Sequence, residues 1–329
     1  MKKKIIATII GIILIVAMIV TYQILKNDNN DSTTTKLNVA EVTHSAFYAP
    51  LYVAIENGYF KDEGLEIELI LTPGADKVAA AVLSNDVQIG FAGPESAIYV
   101  YEGKEEDYLV TFAGLTKRDG QFIISKNENF NWQDLEGKEV LVGRKGGMPA
   151  LNFLNALKNA NVDISKVNLN YSIDFASLSG AFIGGTGDYV NLFEPNAALL
   201  EKEGYGHVVA SIGELSGEMP YTAFYARKSY INENEEILKK FNNALNKGIT
   251  FVKENDALTT AEAIAPQFTD TKIEDLETIV KRYKDSDSWF DTTYIGEEYF
   301  KNLETLMIEN DLLDDYVPYN ELINNLTNE

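Results

Sequence analysis

The residues with the most chemical potential fall in short loops, each between an apolar strand-like run and a helix-like run. Gly143-Arg144-Lys145-Gly146-Gly147-Met148-Pro149 is the clearest of them. Its glycines let backbone N–H groups converge, Pro149 suits the first turn of a helix, and Arg144 and Lys145 stand beside the positive helix end, which makes this the best anion cradle in the chain. The plain alternative is that both cations are merely solvated. Neither G-x-x-x-x-G-K-[ST] nor G-x-G-x-x-G is present, so it is not a nucleotide-binding loop. In His44-Ser45-Ala46-Phe47-Tyr48, Ser45 and free backbone N–H groups can donate, and the ring of Phe47 or Tyr48 can cover a ligand face. Against this stand a core role for Tyr48 and a capping or packing role for His44. In Gly93-Pro94-Glu95-Ser96, Gly93 permits close backbone approach and Pro94 starts a helix, with Glu95 either meeting a ligand or only complementing the helix dipole. A fourth group joins Asp174 and Phe175 to Glu194, which precedes Pro195 at another helix start, and Arg118 and Tyr221 add a cation and a ring. Such a set, with both charges and several rings, fits a ligand carrying donors and acceptors better than a bare inorganic anion.

Other chemistries find little support. The chain has no cysteine, hence no thiol nucleophile and no disulfide, and its two histidines, His44 and His207, lack metal-ligand spacing. No metal and no cofactor is expected. Ser45, His44 and Asp174 could be assembled on paper into a Ser-His-Asp set, but no G-x-S-x-G supports it. Catalysis is therefore not expected.

The elements that must position these loops alternate. Strand-like runs are predicted at 37–43, 65–71, 87–92, 109–115, 121–125, 139–142, 167–171, 189–193, 207–211 and 222–226, with helices at 48–57, 75–84, 95–101, 150–159, 175–183 and 194–203. The helix at 48–57 places Tyr48, Leu51, Tyr52, Ile55 and Tyr59 on one face, with Pro50 in its first turn. This alternation predicts α/β architecture with parallel sheets covered on both faces. From residue 230 onward the pattern is helical, at 230–251, 259–265, 272–284 and 295–310.

The N-terminus speaks of location. Lys2, Lys3 and Lys4 precede an uncharged apolar run over 5–20, near the lower limit of roughly 17 to 25 residues for a membrane span. Residues 1–26 are predicted to be a retained membrane anchor, because bulky residues replace an A-x-A cleavage signal. A cleaved signal sequence is the alternative and leads outside the cytoplasm as well. Residues 27–35 form a polar linker. The formal charge of −22 argues against nucleic acid and anionic membrane surfaces as partners.

The helix with its N-G-Y-F-K-D-E-G-L-E-I-E exit (57–68), A-D-K-V-A-A-A-V-L-S (75–84), D-V-Q-I-G-F-A-G-P-E-S (86–96), W-x-D-L-E-G-K-E-V-L-V-G (132–143) and G-D-Y-V (187–190) together resemble the solute-binding proteins of ABC importers of the nitrate, sulfonate and taurine class, which includes binders of thiamine-pyrimidine precursors. The resemblance spans about 36–229. It implies a periplasmic-binding-protein-like fold of type II: two α/β lobes joined by two crossover strands, a ligand cleft between them, and a helical C-terminal third. Lobe one would be 36–116 plus 224–329 and lobe two 117–223, with crossovers near 113–122 and 221–226. The cleft would then be walled by His44, Ser45, Phe47, Tyr48, Gly93, Pro94, Glu95, Ser96, Arg118, Arg144, Gly146, Gly147, Met148, Asp174, Phe175, Glu194 and Tyr221. The implied partners are a small-molecule solute, an ABC permease and its ATPase, and the membrane through the N-terminal segment, with the protein itself a monomer. A small sulfonate or taurine-like solute is the first choice. An aminopyrimidine is the second, and a surface sensor module or a metabolic enzyme on the same fold are readings from other classes. One departure is that many Gram-positive relatives are lipoproteins, whereas this chain has no cysteine to lipidate.

Overall fold

The structure, a computed structural model, describes residues 34–326. The predicted anchor at 1–26 and most of the linker at 27–35 lie outside the described residues. No helix among those described is long and apolar enough to cross a membrane.

Ten strands form two five-stranded sheets. The first has the order β2-β1-β3-β10-β4, built from β1 (Thr35–Glu41), β2 (Leu65–Leu71), β3 (Ile89–Ala92), β4 (Leu109–Thr116) and β10 (Thr222–Arg227). The second has the order β7-β6-β8-β5-β9, from β5 (Gln121–Ser125), β6 (Glu139–Leu141), β7 (Asn168–Asn170), β8 (Tyr189–Phe193) and β9 (His207–Ser211). Both sheets are mixed rather than purely parallel. β10 runs antiparallel to β3 and β4, and β5 antiparallel to β8 and β9, because these two strands follow the passages between lobes and enter their sheets reversed. The chain leaves the first sheet after Thr116 and returns before Thr222. The two passages lie side by side, with Met219 N–H donating to Lys117 O and Tyr221 N–H to Thr116 O, each at 2.9 Å.

β3 is buried over its whole length, as a central strand between two layers must be. The helices that start at the ends of these strands bring N-termini toward the space between the sheets: α1 (Ala49–Glu56) after a 3₁₀ turn Ala46–Tyr48, α4 (Glu95–Glu102) after β3, and α5 (Met148–Asn159) after β6. Between them in the chain lie α2 (Tyr59–Asp62) and α3 (Ala75–Leu83), then come α6 (Leu178–Ile183), α7 (Asn196–Lys202) and α8 (Gly213–Ser216). The helix predicted at 48–57 is shorter than expected. Gly58 adopts a left-handed φ of 76° that ends the first helical segment, so Ile55 and Tyr59 are only half-buried while Tyr48, Leu51 and Tyr52 are core. The helix predicted at 230–251 is divided at Asn234 into α9 (Lys228–Glu233) and α10 (Glu235–Glu254). α10 buries Leu238, Phe241, Leu245, Ile249 and Val252 along one stripe, each worth about 1.5–3 kcal/mol. α11 (Ala257–Ile264), α12 (Ile273–Asp285), α13 (Glu297–Glu309) and α14 (Tyr319–Leu322) complete the helical last third.

Candidate functional site

The two lobes meet across an aromatic seam. Phe47, fully buried after β1, packs against Phe193 of β8 at 5.7 Å between ring centroids, against Tyr221 of the return passage at 5.8 Å, and against Tyr283 of α12 at 5.0 Å. Gly120 makes this approach possible, since a Cβ there would lie 2.6 Å from the Phe47 ring. Phe175, half-buried, stacks behind Phe193 at 5.5 Å, and Tyr48 packs on Phe91 at 4.4 Å. Rings spaced in this way carry large burial together with oriented quadrupoles.

Polar groups sit within the seam with their hydrogen bonding incomplete. Glu95 opens α4 and is only 2% exposed, and its Oε2 has no protein partner among the described residues. Burial pushes its carboxyl up to about 7, against the backbone N–H groups of Glu95, Met148 and Ser96 and the Arg144 guanidinium, which all favour the charged form. Gly93 leaves room for this group, because a Cβ there would fall 2.0 Å from Glu95 Oε2 and 2.7 Å from Met148 Cγ. Asp119, in the first passage, accepts the Gln121 N–H at 2.6 Å through Oδ1, while its Oδ2 and the hydroxyl of Tyr221 lie beside each other with no other protein partner among the described residues. Burial raises the Asp119 carboxyl far above the usual range. Among the described residues, the fully buried Asn191 of β8 leaves both amide atoms unpartnered, as does Asn152 its oxygen one turn into α5. Buried polar atoms are nearly always satisfied, so such a concentration makes the seam the candidate site.

Other predicted site residues are used differently. Glu194 is taken up by contacts within the protein: Oε1 meets Arg282 of α12 at 2.6 Å, Oε2 takes the Ala198 N–H at 2.7 Å, its N–H donates to Tyr283 Oη at 3.0 Å, and its carbonyl accepts from Ser45 Oγ at 2.8 Å. Arg144, with its side chain 55% exposed, pairs with Asp76 of α3 at 2.9 Å instead of facing the cradle. The cradle itself touches the other lobe, with Gly146 O accepting from Tyr99 Oη at 3.1 Å, Gly147 at the N-cap of α5 and Met148 buried. Arg118 pairs with Glu218 at 2.6 Å beside the passages. His44 bonds Glu41 at 2.8 Å and Gln267 O at 3.0 Å between the rings of Tyr52 and Phe268, the packing role set against a ligand role at the outset. Pro94 holds the N-cap position of α4, Ser96 Oγ bonds back to Gly93 O at 2.9 Å, and Asp174 is exposed. Asp119, Asn152, Tyr225, Arg282 and Tyr283 escaped the sequence reading. Asn152 was findable, a polar residue on the apolar face of α5, whereas Arg282 resembles any basic helix end.

An open surface groove of about 640 Å³ beside Tyr59, Lys247 and Phe251 lies apart from the seam, and none of its lining side chains is buried. It holds no built polar site.

Two mixed α/β sheets with paired passages between them define the periplasmic-binding-protein fold. The chain belongs to the NMT1/THI5-like family, whose model matches residues 46–257. It is 43% identical over 297 residues to YtlA of Bacillus subtilis (strain 168), whose name specifies binding but no solute, covering 89% of each chain. A formylaminopyrimidine-binding protein of Halalkalibacterium halodurans is 23% identical over 64% of each chain. Among solved structures, the alkanesulfonate-binding protein SsuA of Xanthomonas axonopodis pv. citri bound to MOPS superposes with a TM-score of 0.69 at 16% identity, over 88% of this chain and 98% of that one. At that identity the likeness shows the fold alone.

Proposed function

We propose that the protein is the extracytoplasmic solute-binding component of an ABC importer and that its solute is a flat, amino-bearing nitrogen heterocycle of the aminopyrimidine class. The observation that carries this reading is the polar seam: the Glu95 oxygen without a protein partner among the described residues and the buried amide of Asn191 accompany the Asp119 carboxyl and the ring cluster of Phe47, Phe193 and Tyr221. Amino and ring N–H groups would donate to the oxygens, and the ring would stack. A sulfonate held by Arg144 has less support, since that guanidinium is turned to Asp76 at the surface. The name of the Halalkalibacterium relative points the same way.

Solute would enter between open lobes, meet the groups of one lobe, and be enclosed as the other closes about the paired passages. Enclosure removes water and strengthens each hydrogen bond, and the closed form then presents both lobes to a permease. A thermal-shift screen of the fragment 36–329 against 4-aminopyrimidines, a formylaminopyrimidine, taurine, alkanesulfonates and nitrate tests the solute. Aminopyrimidines should stabilise it, by about 2.7 kcal/mol at a hundredfold excess over Kd. Stabilisation by sulfonates or nitrate alone would reject the heterocycle.

A further inference from the structure

We infer that Glu95 is the specificity-determining residue of the cleft, a built-in anion at the meeting point of two helix N-termini that excludes anionic solutes and selects solutes that donate to it. This rests on the binding-protein reading above. α4 begins at Glu95 itself and α5, from the other lobe, at Met148. Two such N-termini facing one space would ordinarily favour a sulfonate, nitrate or carboxylate. Here the space is occupied by the chain's own carboxyl, folded back over Gly93 with Met148 close against it. Its Oε2 has no protein partner among the described residues, so the same group that satisfies the helix ends offers an acceptor to a solute.

The surroundings leave no competing charge to reverse this preference. Tyr48, Tyr99, Tyr221 and Tyr225 face Glu95 and are all held above their ordinary phenol range by burial, hence neutral. Arg144 acts on Glu95 from the α5 loop but is paired with Asp76. Asp119, beyond Tyr221, is a second carboxyl that burial holds toward its neutral form, so it adds no positive charge. An anionic solute therefore meets a carboxylate where the fold alone would welcome it, and like charges in one desolvated site strongly disfavour each other.

The test compares wild-type protein and Glu95→Gln, with methanesulfonate as the anion because its charge is constant across the pH range used, and with 4-aminopyrimidines as donors. At pH 8 the wild type should show no thermal stabilisation by methanesulfonate and the glutamine variant should gain it. Aminopyrimidine affinity should fall at least tenfold in the variant. Should the variant fail to fold, the wild type decides: methanesulfonate binding that appears at pH 5.5 and disappears at pH 8 supports the assignment. Equal methanesulfonate binding by wild type and variant at pH 8, or none by either protein at either pH, overturns it. A wild type blind to aminopyrimidines removes the proposed solute class, while the methanesulfonate comparison still judges Glu95 separately.

Discussion

At the scale of single residues, the carboxyl of Glu95 links protonation to stability. Its folded-state value is raised from 4.5 to about 7 by burial, so the folded protein holds this proton more tightly than the unfolded chain does. The stabilisation from that proton is fully present below pH 4.5 and is lost as pH rises through 7, an effect of about 3 kcal/mol at most. Burial raises the carboxyls of Asp119 and Glu194 as well, so the wild-type slope is shared among several groups. The difference between wild type and Glu95→Gln isolates one of them. Urea denaturation between pH 5 and pH 8 without solute should show wild-type stability falling with pH and the variant falling less, with the variant more stable at pH 8. Parallel slopes would mean that Glu95 titrates as an ordinary surface carboxylate.

At the scale of elements, α12 ties the two lobes together, which makes it the clasp of the proposed closure. Arg282 in its last turn bridges Glu194, only 1% exposed, and Glu201 of α7 in the other lobe, and Lys202 meets Asp275 along the same edge. Removing one partner from a buried ion pair leaves the other charge uncompensated, at a cost of roughly 3–5 kcal/mol. Opening the lobes lets water reach Glu194, so the cost should appear mainly as lost closure. Arg282→Met is therefore expected to weaken solute binding at least tenfold by calorimetry while far-UV circular dichroism stays unchanged, and unchanged affinity would refute the clasp. This contact also marks where sequence legibility ended. Strands, helix starts and two-lobed architecture could be read because period, Pro50, Pro149 and the loop glycines are local signals. The role of Glu194 could not, because a carboxylate before a proline looks the same whether it meets a solute or an arginine 88 residues away. The cradle at 143–149 was legible as a helix start, but the pairing of Arg144 with Asp76 was set by which lobe faces it across the seam. Asp119 was hidden in a charged K-R-D-G passage whose burial exists only once both lobes are formed.

At the scale of the whole molecule, the proposed closure turns on the two passages. They pair through Thr116 and Thr222, and beside them Lys117 meets Asp287 at 2.7 Å while Arg118 meets Glu218 at 2.6 Å, which ties the passages to the segment after α12. Both cations are largely buried, whereas Asp287 is exposed and Glu218 partly solvated, so the pairs add little stability and the proposal gives them the role of guiding the bend. Glu218→Gln loosens the guide without touching Glu95, Asp119 or the ring cluster. The variant should keep its melting temperature within a degree or two and lose affinity only a fewfold, with solute dissociating faster than from the wild type. Small-angle scattering should show the wild type compacting when a stabilising solute is added and the variant compacting less. If wild type and variant compact equally and release solute at the same rate, the ionic cluster is a bystander. If the wild type does not compact with any stabilising solute, capture by hinge closure fails as the mechanism.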